Sequence, residues 1–304
     1  YRRHTNFAIE SIKQLFTGTQ DFDNTIHCTV SRSGDLLYRM YLQTKLPSVD
    51  ISSGLTTGTE YRAFRWLNWV GHVLIDEVEL TIGGQQIDKQ TGEWMHLWNE
   101  LTQTEEHAAA YAEMVGNVPR LTQIQSSNSS SATCATDEYT LYVPLQFWFC
   151  RHPGLALPII SLQFSDVKIA IKLKKLSECI WATKQNTSAS YQSKTGVEAL
   201  ATTPSLTDTY LYVDYIFLDT AERRRFAQVQ HEYLIEQVHQ NKSFTIPSGD
   251  TSPSITFNFN HPIKELIWLT PPSLIDRGSQ SGAYNDEVFG QYATNVEDAR
   301  LVLN

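Results

Sequence analysis

Basic residues are scarce in this chain. It carries 24 Lys and Arg against 33 Asp and Glu, a formal net charge of −9 over 304 residues. A protein whose main work is gripping nucleic acid needs clustered cations to neutralise phosphates. The only basic run is Arg223-Arg224-Arg225, with Lys172, Lys174 and Lys175 gathered at the end of a predicted strand. Both groups read as solvated or ion-paired surface, so no direct nucleic-acid partner is expected. Long apolar runs are missing as well, and nothing approaches the ~20 residues that a membrane-spanning helix requires. Cysteine is thin: Cys28, Cys134, Cys150 and Cys179 are too widely spaced for a C-x-x-C zinc pair. They read as reduced, mostly buried small hydrophobes, which points to a cytoplasmic protein. No signal peptide precedes the first strand, and Tyr1 is not a methionine, so upstream sequence is expected to be missing.

What the chain does contain is alternation. Val167, Ile169, Ile171 and Leu173 face one way, and Lys168, Ala170 and Lys172 the other, the period-two signature of a half-buried strand. Similar patterns predict strands at Tyr1–Phe16, Ile26–Val30, Leu36–Leu46, Glu77–Ile82 and Tyr210–Leu218. Beyond these, strands are expected at Tyr233–His239, Ile255–Asn260 and Leu266–Leu269. Three-and-four spacing predicts helices over Glu60–Leu74, over Thr91–Gln103 with Thr91 as cap, and over Glu105–Met114. Asp219 or Thr220 is placed to cap a short helix that carries the arginine triplet. Trp148 and Phe149 read as neighbours on a short buried strand, one facing each side, before a corner at Cys150-Arg151-His152-Pro153. Ser/Thr-rich stretches at Ser126–Thr136 and Lys184–Pro204 read as loops. Many short strands with helices set in the longer excursions argue for an all-β jelly-roll sandwich.

Motifs for chemistry are weighed and set aside. His96 and His107 lie near Glu93, Glu100, Glu105 and Glu106, but the H-E-x-x-H spacing is absent, and the cluster reads as exposed helix charge. Cys150 and His152 lack a third orienting group. Gly83-Gly84 lacks the remaining residues of a phosphate-binding loop and reads as a turn. The adjacent carboxylates Asp76/Glu77 and Asp286/Glu287 leave opposite faces of a strand and cannot flank one substrate bond. Trp66, Trp69, Trp94 and Trp98 sit at helical spacing and read as core rather than as a sugar platform. Asn128, Asn186 and Asn241 open N-x-[ST] triplets; the first two serve only as markers of exposed loops. No catalytic, cofactor-binding or metal-ligating residue is assigned.

Four long blocks carry a resemblance. They are YRRHTNFAIES (Tyr1–Ser11), DEVELTIGGQQIDKQTGEWMHLWNELT (Asp76–Thr102), PLQFWFCRHPGLALPIISLQFSDVKI (Pro144–Ile169) and LYVDYIFLDTAERRRFAQVQHEYLIEQV (Leu211–Val238). In this order they resemble the major capsid proteins of nucleocytoplasmic large DNA viruses, the group that includes iridoviruses and phycodnaviruses. The resemblance fades at Gln123–Asp137, Lys184–Thr207 and Gly278–Tyr292.

The resemblance implies a tandem double jelly roll, with residues 1–219 as the first roll, 220–225 as a helical linker and 226–304 as the start of a second, incomplete roll. It implies a structural, non-enzymatic protein without cofactors. Such a protein forms a homotrimer shaped as a pseudo-hexameric capsomer and contacts neighbouring capsomers, minor capsid and penton proteins and internal-membrane proteins. The implied location is the virion, with assembly in the host cytoplasm. A carbohydrate-binding or cupin-like jelly-roll module is the alternative. Since a second roll would need a length comparable to the first, the chain is expected to be clipped at both ends and poorly soluble as it stands.

Overall fold

Where apolar and polar residues alternate, the chain forms strands, and the strands wrap into one sandwich. The structure, a computed structural model, describes residues 5–53, 60–127, 135–185, 197, 200–240, 254 and 256–268. Among these, β1 (Phe7–Leu15), β2 (Thr25–Thr29), β3 (Leu36–Leu46), β4 (Val49–Asp50) and β5 (Tyr61–Trp66) lead to a short helix, α1 (Val70–Leu74). Next come β6 (Ile75–Ile82), β7 (Gln85–Thr91), α2 (Gly92–Thr102), α3 (Glu105–Val115), α4 (Pro119–Thr122), β8 (Gln125–Ser127), β9 (Ala135–Thr136) and β10 (Tyr139–Pro144). The order closes with α5 (Trp148–Arg151), β11 (Val167–Leu173), α6 (Leu176–Cys179), β12 (Ile180–Gln185), β13 (Thr207–Leu218) and α7 (Thr220–Gln228).

Two four-stranded sheets, β1-β13-β3-β10 and β2-β11-β6-β7, form the sandwich. Every ladder in them is antiparallel. Of the eight strands in these two sheets, the first, β1, pairs with the last, β13, and the second, β2, with the last but one, β11. This is the wrap of a jelly roll, and the all-β expectation holds. Val167, Ile169, Ile171 and Leu173 are buried and Lys168 and Lys172 exposed, as the alternation requires. Leu37, Met40, Leu42 and Leu46 of β3, in the facing sheet, belong to the same core cluster, as do Val78, Leu80, Leu211 and Val213. Each fully buried side chain of this size contributes about 1.5–3 kcal/mol relative to exposure.

Several expectations need correction. Glu60–Leu74 is not one helix: β5 fills its first half and α1 its end. Ala63, Phe64, Arg65 and Trp66 are all buried because β5 lies between β12 and β8, so no period-two signal survives. Trp148 and Phe149 belong to a helical turn rather than a strand. The Cys150 N–H reaches back to Phe147 O at 2.9 Å, and both rings are buried in edge-to-face contact at 5.1 Å. Residues 233–239, 256–260 and 266–268 carry no strand, for they have no ladder partner among the described residues, and Leu234 and Trp268 stand 92% and 73% exposed. Ile255 and Leu269, at the ends of these expected strands, lie outside the described residues, as do 128–134 and 186–196 of the expected loops. The helix expected at the linker is longer, running to Gln228.

Candidate functional site

Two excursions leave the sandwich at the same end. Leu46 of β3 pairs with Tyr139 of β10, and Glu77 of β6 pairs with Thr91 of β7. The connections from β3 to β6 and from β7 to β10 therefore start and finish side by side. They supply α1, α2 and α3, which pack together as a helical cap. Thr91 starts α2 as expected, its hydroxyl accepting the Trp94 N–H at 3.1 Å.

α2 buries Gly92, Met95, His96 and Asn99, one stripe at i, i+3, i+4 and i+7. The apolar stripe on its other side, Trp94, Leu97, Trp98 and Leu101, is half-buried at the first three positions and 61% exposed at Leu101. The tryptophan expectation holds fully only for Trp66, which is buried in β5.

The reading of His96 as exposed charge is overturned: it is 2% exposed. His96, His72 and Trp69 form a ring cluster, with centroids 5.6 Å apart for the two histidines and 5.2 Å for Trp69–His96. His72 Nε2 lies 2.9 Å from the Tyr111 hydroxyl of α3. Burial, with the His96 charge adding to it, holds His72 down to about 3, and burial lowers His96 to about 4. Trp69, the residue before α1, takes φ 57° and ψ 40°, a left-handed conformation that costs an L residue about 1–2 kcal/mol. Its ring lies parallel to His72 at 5.9 Å, which packs the strained residue in place. His107 stays on the surface, with the Thr104 hydroxyl 2.8 Å from its Nδ1.

The other candidates resolve into structural roles. Burial pushes the Cys150 thiol up to about 12, while His152 Nδ1 accepts the Gly154 N–H at 2.9 Å and caps the turn at Pro153–Leu155. Cys28 and Cys179 are free and buried like Cys150, and Cys134 lies outside the described residues. Asp76 pairs with Lys172 at 2.6 Å and Glu77 with Lys89 at 2.7 Å, each engaged by a neighbouring strand. Asp286 and Glu287 lie outside the described residues, as do Asn128, Asn186 and Asn241. Gly83 and Gly84 turn the chain between β6 and β7 at φ +60° and +83°. Among the described residues, no group of three or more His, Cys, Asp or Glu is arranged to hold a metal.

At the opposite end, Asp35 is a junction. Its carboxylate accepts the Leu218 N–H at 2.8 Å and the Arg223 Nε–H at 3.0 Å, joining the end of β13 to α7. Arg224 and Arg225 are exposed. From α7 the chain runs back along the roll. The Ser161 hydroxyl donates to Phe226 O at 2.6 Å, Arg151 pairs with Glu236 at 2.7 Å, and Val238 N–H meets the buried Asp88 carboxylate at 3.0 Å. This segment covers the β7 side of its sheet, an edge that would otherwise stand open. On the other sheet, edge strand β1 leaves Phe7, Ile9 and Leu15 between 51% and 69% exposed.

Two family matches run along the chain: "Major capsid protein N-terminus" over residues 1–219 and "Large eukaryotic DNA virus major capsid protein" over residues 222–298. A major capsid protein of Phaeocystis pouchetii virus is 48% identical, across 98% of this chain and 59% of its own length. That of Paramecium bursaria Chlorella virus 1 is 37% identical, across 88% of this chain and 54% of its own. The chain thus spans between half and two thirds of the length of these relatives. A chain of the PBCV-1 virus capsid superposes with a TM-score of 0.59 at 35% identity, covering 78% of this chain and 48% of that one. The Faustovirus major capsid protein, at 14% identity and a TM-score of 0.55, shares the fold. The chain belongs to the major capsid protein family of large eukaryotic DNA viruses.

Proposed function

We propose that this chain is the coat subunit of an icosahedral virion and that its activity is self-assembly. The observation that carries this reading is a complete jelly-roll wrap within residues 7–218, in a chain that matches the capsid family along most of its length. The division proposed is a first roll over 1–219, a linker over 220–225 and, from 226, the start of a second roll. Three chains with two rolls each would present six similar units and form a pseudo-hexameric capsomer. The partners are further copies in the same and neighbouring capsomers, with minor capsid, penton and internal-membrane proteins at the edges of the lattice. Assembly takes place in the host cytoplasm, and no catalytic step is assigned.

The exposed apolar side chains of β1 and of residues 234–268 suit obligate contacts, which commonly bury ~2,000 Å² or more. A closed trimer would cover them by repeating one heterologous contact around a three-fold axis. Multi-angle light scattering with negative-stain microscopy on the full-length coat protein tests this. The expected particle has three times the mass of one protomer and a six-sided outline. A monomer at micromolar concentration would overturn the reading.

A further inference from the structure

We propose that the outward face of β1, β13 and β3 receives the post-linker segment of a second copy, residues 229–240 and 256–268, and that this contact closes the trimer. The inference rests on the coat-subunit reading above and adds to it which two surfaces meet.

The two sheets of the roll turn very different faces outward. In β1-β13-β3-β10, Gln14, Leu42, Val143, Leu211 and Val213 are buried, so their chain neighbours point away from the core. The ladder registers line these neighbours up in rows across the sheet. One row is Leu15, Tyr210, Gln43 and Tyr142, and the next is Lys13, Tyr212, Tyr41 and Pro144. Tyr41, Tyr210 and Tyr212 are half-buried and Tyr142 is exposed, and Lys13 Nζ lies 3.2 Å from the centre of the Tyr210 ring. At the β1 edge, Phe7 and Ile9 extend the apolar surface. The corresponding rows of β2-β11-β6-β7 are Thr25, Lys172 and Glu77, then His27, Ala170, Glu79 and Lys89. That second face carries cross-strand charges and suits water. The first is rich in tyrosine and poor in charge, the composition of an interface core.

The chain's own continuation covers only one end of this face. The Phe226 ring of α7 packs against the cluster of Leu36, Tyr38 and Ile216, at the Asp35 end of the sheet. Beyond it the segment is fastened to the far edge of the roll. There Glu236 pairs with Arg151 at 2.7 Å, the Gln237 side chain donates to Ile87 O, and the Val238 N–H meets Asp88 at 3.0 Å. Arg151 follows β10, which lies three strands from β1, about 14 Å at ordinary strand spacing. Held at that edge, the segment leaves Leu234, Phe257, Ile263, Leu266 and Trp268 between 43% and 92% exposed. A bare apolar strip on one side of the chain and bare tyrosine rows on the other are the two halves of a heterologous contact, which closes when repeated around a three-fold axis.

The charges agree. On the sheet face Lys13 and Arg39 stand against Asp214, while Lys45 is paired with Glu138 at 2.7 Å. On the segment Glu236 is held by Arg151 and Lys264, which leaves Glu232 and Glu265 exposed. The contact sets cations against carboxylates, in a chain whose net charge of −9 otherwise makes one copy repel another.

Site-specific photocross-linking on the full-length coat protein tests this, with p-benzoylphenylalanine in place of Tyr212 and, in a second preparation, of Leu15. Each is expected to give a product of two chains, mapped by mass spectrometry to residues 229–268 of the second copy. The same probe in place of Glu79, on the other sheet, is expected to give no cross-link to those residues. Leu15 is 69% exposed on an edge strand, so its probe serves even where the Tyr212 replacement fails to fold. Ile9→Lys combined with Leu15→Lys is expected to raise the concentration at which the trimer dissociates by at least about tenfold, while Glu79→Lys leaves it unchanged. A trimer that cross-links elsewhere, that joins these surfaces within one chain, or that tolerates the lysine pair overturns this inference and leaves the coat reading standing. A protein that is monomeric in light scattering overturns both.

Discussion

Gly92 is the first residue of α2, where the helix meets the end of α1. A Cβ at this position would lie 2.0 Å from the carbonyl oxygen of His72 and 2.3 Å from that of Ile75. Both obstacles are backbone, so no side-chain rotation can relieve them. In Gly92→Ala, α1 and α2 must part by about 1 Å, at a junction where Val70–Leu74, Met95 and His96 are buried. Overpacking of this kind costs about 1–3 kcal/mol, and a backbone obstacle puts it at or above the top of that range. Against it stands the better helix propensity of alanine, worth about 1 kcal/mol. The expected net loss is about 2 kcal/mol or more.

Gly84→Ala is the control. Nothing lies within 4 Å of its added Cβ, but φ is +83°, so only the left-handed penalty of about 1–2 kcal/mol applies. Urea unfolding followed by tryptophan fluorescence should rank Gly92→Ala below Gly84→Ala and both below the parent. A Gly92→Ala chain as stable as the parent would refute the close approach of α1 and α2.

Two further substitutions probe other parts of the roll. Trp148→Ala should cost about 3–5 kcal/mol, because the ring is 4% exposed, whereas Phe164→Ser, at 98% exposure, should leave the urea midpoint unchanged; comparable losses in both would show that the burial is misassigned. Asp35→Ala removes the acceptor of both the Leu218 N–H and the Arg223 Nε–H and should cost about 1.5–3 kcal/mol, with trypsin cutting sooner at Arg223–Arg225. An unchanged cleavage rate would mean that Asp35 does not hold α7 in place.

The parts legible in the sequence are those where burial follows hydrophobicity. β3 and β11 have the boundaries that their alternation predicts, and Thr91 and Asp219 cap the helices they precede. Elsewhere, polar residues on the inside hide the pattern. β7 reads as polar, QQIDKQT, yet Asp88 and Gln90 face the interior, where the Asp88 carboxylate accepts from the Lys89 N–H, the Gln90 side chain and the Val238 N–H. On α2 two stripes satisfy helical spacing, and the sequence favours the one with two tryptophans. The structure buries the stripe with Gly92, because only a glycine lets the helix approach α1. His96 lies on that stripe and is buried with it. Periodicity finds a helix, but which face turns inward depends on what the facing element can accept.

Several departures from local preference meet at the junction of α1 and α2. Trp69 is a bulky residue in the left-handed region, His72 and His96 are buried imidazoles, and Gly92 sits inside the first turn of a helix. Taken locally, the left-handed Trp69 and the buried imidazoles are costlier than an extended residue and apolar side chains would be, whereas at position 92 alanine is the costlier choice, because its Cβ would meet the backbone of His72 and Ile75. The close approach of α1 and α2 requires glycine at position 92, and it turns inward the face of α2 that carries Met95, His96 and Asn99.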